Sequence, residues 1–281
     1  MSFEKAKEYK AGNQFIIKIT KLLMDKFSVW INWRQDGQDS FLDIGSGPGN
    51  TVREVIFPHL PVNFSRLVVS DISPQMVKLQ KEEFADNNRI SCEVLDIVSD
   101  FGENVRKILG TFDHITSFYC LMWIKDQQKV MNNIYSLLKP GGDCLLVIVA
   151  DTPVLDTLIS VCEKPKWKEY FIGWEDFYIF PYNKLNEAKD KGLEFMNKAG
   201  FVEMKAELVD NMIQFTNDVE KENFLRSMPN KFSKKVSAKD VEEIFQERLE
   251  VFDKFNLGDY RDNSGRINKP LTSLILYGRK N

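Results

Sequence analysis

No stretch narrows the folds open to this chain more than FLDIGSGPGN, residues 41–50. Phe41 and Leu42 form a short apolar lead-in after the polar run Gln35–Ser40, and the acid Asp43 stands at its end. Gly45, Gly47 and Gly49 follow on alternate positions, with Pro48 between the last two. Asn50 closes the loop, and TVREVIF then spaces its apolar residues as a helix does. A strand, a tight glycine turn and a helix start form a nucleotide-binding corner. Glycine reaches φ > 0 without steric cost and leaves bare backbone for a ligand to lie against. The same corner also serves as a plain turn in α/β proteins, so the segments that follow it must decide.

The details of the loop select among cofactors. The dinucleotide pattern G-x-G-x-x-G/A is broken at its sixth position by Asn50. A P-loop would need Lys then Ser or Thr after its last glycine, and Asn50 and Thr51 stand there instead. An acid at a strand end followed by G-x-G-x-G resembles motif I of S-adenosylmethionine (SAM) dependent methyltransferases. SAM carries no phosphate. Its α-ammonium suits Asp43, directly or through water, and its carboxylate suits the backbone N–H groups around Gly45, Ser46 and Gly47.

Two further acids follow in step. RLVVSD ends in Asp71 about 25 residues beyond Gly45, near where an adenosine-binding fold places the carboxylate that accepts the ribose hydroxyls. Ser73 and Pro74 then open a helix as N-cap and first residue. Ile90–Ile97 reads as a third strand with Asp96 near its end, where methyltransferases often place an acid for the adenine amino group. Ile72 and Ile97 adjoin these acids and count with them as cofactor contacts. Phe112–Ile124 is a fourth strand running into a loop and ending near Ser117–Tyr119, because ligands sit at the carboxyl ends of parallel strands. Trp123 falls just beyond, where a transferring methyl would be. A helix from Asp126 to Leu138, the turn Lys139-Pro140-Gly141-Gly142 and the strand DCLLVIVA complete the run.

Strands alternating with helices from about Phe41 to Ala150 predict an α/β fold: a Rossmann-like, doubly wound, seven-stranded and mostly parallel sheet. The last strand, Leu271–Gly278, is expected antiparallel beside the fifth. Residues 1–150 divide into an N-terminal helical segment and the SAM-binding core. Residues 151–281 supply a helical, aromatic-rich substrate-binding insertion and complete the same domain. In the N-terminal helix Phe15, Ile16, Ile19, Leu22, Leu23 and Phe27 share one broad face. The net charge of −3 and pI near 5.7 argue against nucleic acid as a partner. No apolar run approaches the roughly 18 residues of a membrane span, and the charged MSFEKAKEYK is no signal sequence, so a cytoplasmic protein is expected. Cys92, Cys120, Cys144 and Cys162 show no metal spacing and read as reduced structural thiols. His59 and His114 lie far apart, and no metal is expected. Oligomeric state is left open, a homodimer included.

Gln14, the run SFYCLMWI, KPGG and the segment Phe180-Pro181-Tyr182 together resemble the insect juvenile hormone acid methyltransferases over nearly the whole length. The resemblance implies SAM-dependent O-methylation of a juvenile hormone acid or farnesoic acid. It implies that Gln14 and Trp123 hold the substrate carboxylate, with Tyr9 and Ser117 near the cofactor and Tyr119, Trp174 and Tyr178 toward a lipophilic acid. The chemistry is consistent. A carboxylic acid with pKa of about 4 to 5 is already ionised at neutral pH and needs no general base. Indole and amide N–H groups donate, which suits holding an anion rather than deprotonating an alcohol. The aromatic stretch 151–183 fits a wall for a long apolar tail. Alternatives are another small-molecule carboxylate methyltransferase, whose polar substrate would call for basic pocket residues, and a SAM- or terpenoid-binding isoform with low turnover. Met122, where a polar residue is expected before the Trp, motivates the last.

Overall fold

The structure is a computed structural model, and it describes residues 6–101, 110–176, 181–182, 185–228, 232–254 and 267–281. Two N-terminal helices, α1 (Ala6–Gly12) and α2 (Gln14–Phe27), precede strand β1 (Ser40–Ile44). Then come β2 (Arg66–Asp71), α3 (Pro74–Glu83), β3 (Ile90–Val94), β4 (Phe112–Phe118), α4 (Gln127–Leu137) and β5 (Leu138–Asp151). The second half contributes α5 (Pro153–Cys162), α6 (Leu185–Ala199), β6 (Val202–Phe215), α7 (Asp218–Ser227), α8 (Ala238–Lys254) and β7 (Ile267–Arg279).

Seven strands form one sheet in the order β3-β2-β1-β4-β5-β7-β6. β1 pairs in parallel with both β2 and β4, and β7 inserts antiparallel between β5 and β6. The order reverses between β1 and β4. Right-handed crossovers therefore send the connections on either side of that point to opposite faces, which opens a crevice at the carboxyl ends of β1 and β4. β1 is buried along its whole length, as a central strand covered on both faces must be.

Local structure departs from the sequence reading in four places. Leu22 is 64% exposed, while Ile17 and Met24 are buried. At 100° per residue the buried stripe runs from Phe15 round to Ile17, and Leu22 lies outside it. The turn after Asn50 is wound as a π-helix over Val52–Ile56, with the Phe57 N–H bonded to the Val52 carbonyl. Pro58 has no N–H to continue an i→i−4 ladder there. Lys139–Gly142 is not a free turn but the irregular start of β5, tied by Gly141 N–H to the Lys280 carbonyl (3.0 Å) and Lys280 N–H to the Gly142 carbonyl (2.8 Å).

The aromatic stretch is the fourth departure. It opens with α5, capped by Thr152, and Trp167, Phe171 and Tyr182 are buried in the core. Two lysines of this stretch are paired with α8: Lys164 with Glu247 at 2.5 Å, and Lys166 with Glu243. All four cysteines are free, and among the described residues no helix is long and apolar enough to cross a membrane.

Candidate functional site

The loop after β1 is held in place by its neighbours. The Ser46 N–H bonds to the Ser70 carbonyl (2.8 Å), Gly47 N–H to Asp71 Oδ2 (3.0 Å), and Gln80 Nε2 from α3 to the Gly47 carbonyl (2.7 Å). Gly45 has φ +72, and a Cβ there would stand 2.1 Å from Cys120 Sγ across the β1–β4 switch point. Gly47, at φ +56, would place a Cβ 3.4 Å from the ring of Tyr9. These are two positions where a side chain would both strain the backbone and fill the crevice.

Asn50, which breaks the dinucleotide pattern, has a partner of its own. Its Nδ2 donates to Asn13 Oδ1 (2.9 Å), and Asn13 Nδ2 donates back to Asn50 Oδ1 (3.2 Å). Both amides are buried. Asn13 is the break between α1 and α2, so this reciprocal pair docks the N-terminal helices on the glycine loop. Gly12 completes the docking, because α7 approaches so closely that a Cβ would lie 2.6 Å from the Phe224 nitrogen.

Three acids stand in series at the strand ends. Asp43 is buried and accepts hydrogen bonds from Ser46 Oγ and Thr116 Oγ1, both at 2.6 Å. Burial pushes its carboxyl up to about 7 despite those two donors. Asp71 accepts the Ser73 N–H (2.8 Å) as well as that of Gly47, and burial raises it too. Asp96 turns back on the Val98 N–H at 3.1 Å. A buried, acidic, glycine-lined end favours a cationic ligand over a phosphate.

Asp71 and Asp96 face a cavity of about 460 Å³, within the range of small-molecule sites. Tyr9, Gly45, Gly47, Asp71, Ile72, Asp96 and Ile97 line it. Phe15, Leu155, Ile213, Phe224 and Leu271, from five elements, and Met228 just past α7 add an apolar lining. Tyr119, Met122 and Trp123 also line it, on and just beyond the end of β4. Tyr119 has φ +54, a left-handed conformation that costs a non-glycine residue on the order of 1–2 kcal/mol.

Of the residues singled out from the sequence, nine are thus on one wall. Asp43, Ser46 and Ser117 sit behind it, with Ser117 Oγ donating to the Ile44 carbonyl at 2.8 Å. They shape the loop from beneath rather than lining the cavity. Gln14 is exposed at the first turn of α2 and does not line the cavity, whereas Phe15 and Ile16 after it do. The Asn13–Asn50 clasp sets the helix rotation that turns Gln14 outward. Trp174 is half-buried against the core and off the wall, so the insertion's share comes instead from Thr152, Val154, Leu155 and Asp176. Tyr178 and Phe180 lie outside the described residues. Cys120, Phe224 and Met228 escaped the sequence reading. Cys120 was within SFYCLMWI, but nothing local marks it as the neighbour of Gly45.

A family model described as a methyltransferase domain matches residues 42–144. The chain is 31% identical over 275 residues to the juvenile hormone acid O-methyltransferase of Drosophila melanogaster, a match that covers 97% of this chain and 91% of that one. To the protein of the same name from Bombyx mori it is 31% identical over 193 residues, with 69% and 67% covered. Among solved structures, the YcgJ protein of Bacillus subtilis aligns with a TM-score of 0.56 at 18% identity, covering 94% of this chain and 99% of that one. A phosphoethanolamine N-methyltransferase 2 of Haemonchus contortus, solved with S-adenosylhomocysteine, aligns with a TM-score of 0.51 at 18% identity, covering 94% and 52%. These two are likenesses of fold.

Proposed function

The chain belongs to the juvenile hormone acid O-methyltransferase family of SAM-dependent methyltransferases, and from that premise we propose that it esterifies the carboxylate of a lipophilic sesquiterpenoid acid, a juvenile hormone acid or farnesoic acid. The observation that carries this reading is one cavity lined by both the acid-and-glycine loops and a set of apolar side chains, with Trp123 and Tyr119 on its wall.

The residues present fit the cofactor. Gly45 and Gly47 leave space that a Cβ would fill, Asp71 and Asp96 offer acceptors for hydroxyl and amino groups, and the buried Asp43 favours an ammonium nearby. Bound there, SAM supplies an electrophilic methyl group on a sulfonium.

The remaining work falls to this chain's own side chains. Trp123 donates its indole N–H toward the acid's carboxylate and helps fix the attacking oxygen in line. No histidine is among the described residues that line the cavity, which suits an acceptor already ionised at neutral pH. Phe15, Phe224 and Met228 take the hydrocarbon tail out of water, at about 25 cal/mol per Å² buried. Tyr9, packed over Gly47, keeps solvent from the reacting end. A polar polycarboxylate fits less well. The wall's lysine, Lys125, is paired with Asp176 at 2.5 Å.

Incubation with methyl-labelled SAM and farnesoic acid tests the proposal: saturable formation of the labelled methyl ester is expected. Retained binding of S-adenosylhomocysteine with no ester from farnesoic acid or from a juvenile hormone acid would overturn it. It would favour the low-turnover binder that Met122, buried on the wall, already suggests.

A further inference from the structure

Gln14 stands outside the cavity, so the acid's carboxylate needs a donor besides Trp123. A hydrogen-bonded chain behind the wall identifies one. Asn211 on β6 donates its amide Nδ2 to the Val209 carbonyl (3.1 Å) and to Ser273 Oγ on β7 (3.3 Å). Ser273 Oγ lies 3.0 Å from the hydroxyl of Tyr119, and Ser273 is fully buried.

One order of donors along this chain turns the phenol proton toward the cavity. An amide N–H₂ only donates, so the Ser273 oxygen is the acceptor from Asn211. The Ser273 proton then has the Tyr119 oxygen as its acceptor among the described hydrogen bonds. With Ser273 donating to it, Tyr119 keeps its phenol proton to give elsewhere, and Tyr119 lines the cavity. Its left-handed backbone at the very end of β4 is held by its N–H to the Val147 carbonyl (2.8 Å). A strained, anchored residue at a strand's carboxyl end is where a fixed donor belongs. Burial keeps the phenol protonated, and the bond from Ser273 only partly offsets it.

Building on the esterification reading, we propose that Tyr119 donates its phenol hydrogen bond to the acid's carboxylate. Ser273 and Asn211 are positioning residues that set the direction of that proton. The carboxylate is then held by two donors on one loop, Tyr119 and Trp123, four residues apart.

The polarity can be reversed. In Asn211→Asp the new carboxylate accepts from Ser273, Ser273 accepts from Tyr119, and the phenol oxygen turns its lone pairs to the substrate. Tyr119→Phe removes the donor outright. Each change is expected to lower kcat/KM for farnesoic acid by about tenfold to a hundredfold, the range for a hydrogen bond to a charged group. Each also weakens farnesoic acid binding to protein saturated with S-adenosylhomocysteine, while the Kd for S-adenosylhomocysteine stays within about twofold of wild type. The double variant is no worse than Tyr119→Phe alone, because both changes abolish one bond. Ser273→Ala lowers kcat/KM less, since Tyr119 keeps its proton and loses only its direction. A wild-type kcat/KM in Tyr119→Phe, or losses that multiply in the double variant, would overturn the inference. If wild-type protein esterifies no acid, the esterification reading falls first; if it does and Tyr119→Phe is unaffected, this inference falls alone.

Discussion

Asp43→Asn should separate the stability of the unliganded fold from its capacity to bind. The Asp43 carboxyl rises from an ordinary 3.8 to about 7 on folding, because burial outweighs the hydrogen bonds from Ser46 and Thr116. A carboxyl with a higher pKa folded than unfolded holds its proton more tightly in the folded chain. Its contribution is therefore fully present below about pH 3.8 and is lost as pH rises through about 7. The rise corresponds to about 4 kcal/mol by pH 8.5, an upper bound for a group whose surroundings can relax. Asparagine keeps the shape, can accept from one hydroxyl and donate to the other, and does not ionise. Urea unfolding without ligand at pH 4, 5, 6, 7 and 8.5 should show the variant close to wild type only near pH 4. From there to about pH 7 the variant's advantage should grow, and above pH 7 it should hold level. The same variant should bind S-adenosylhomocysteine at least about tenfold more weakly at pH 8, having lost a charge that favours the ligand's ammonium. Unfolding curves that track wild type at every pH would refute the description of Asp43 as a carboxylate held at a cost. Unchanged ligand binding would remove Asp43 from the site.

Three further predictions concern groups that the same geometry singles out. His114 lies buried between Asp143 (2.6 Å) and Asp39 (2.7 Å); burial opposes its charge, but these bonds push it up to about 9. Wild-type stability should hold below about pH 6.5 and lose on the order of 3 kcal/mol as pH passes 9. In His114→Asn that slope should vanish at a cost of about 3–5 kcal/mol for the stranded carboxylates, all read by denaturant unfolding. Gly45→Ala should abolish S-adenosylhomocysteine binding in calorimetry. Cys120→Gly should restore part of it and Cys120→Ala should not, because Cys120 Cβ would remain 2.4 Å from the new methyl. Asn50→Ala should cost about 1–3 kcal/mol of stability by stranding the buried Asn13 amide. It should also raise hydrogen exchange in Ala6–Gly12, and Asn13→Ala in the same chain should add little more.

The glycine corner and the acids Asp71 and Asp96 were legible because their signals are local. An acid at a strand end or a glycine at a turn marks itself within a few residues. The apolar lining was not legible. Phe15, Leu155, Ile213, Phe224 and Leu271 come from distant segments, and an apolar side chain carries no mark that tells cavity from core. Trp167, Phe171 and Tyr182 show the same ambiguity from the other side: their density suggested a tail-binding wall, and they pack in the interior. Gln14 was read for its amide, but its direction depends on a partner 37 positions from Asn13, which no helical period reveals. The π-helical turn at Val52–Ile56 could have been anticipated from Pro58. The Tyr119–Ser273–Asn211 chain could not, because it requires β7 to be seated between β5 and β6.

A structure of the protein with S-adenosylhomocysteine and farnesoic acid bound together tests the proposed use of this cavity most directly. The adenosine is predicted against Asp71 and Asp96, the farnesoate carboxylate within hydrogen-bond reach of Trp123 and Tyr119, and the chain against Phe15, Phe224 and Met228. A hydrocarbon tail lying outside that pocket, or a carboxylate turned away from both donors, would contradict the account.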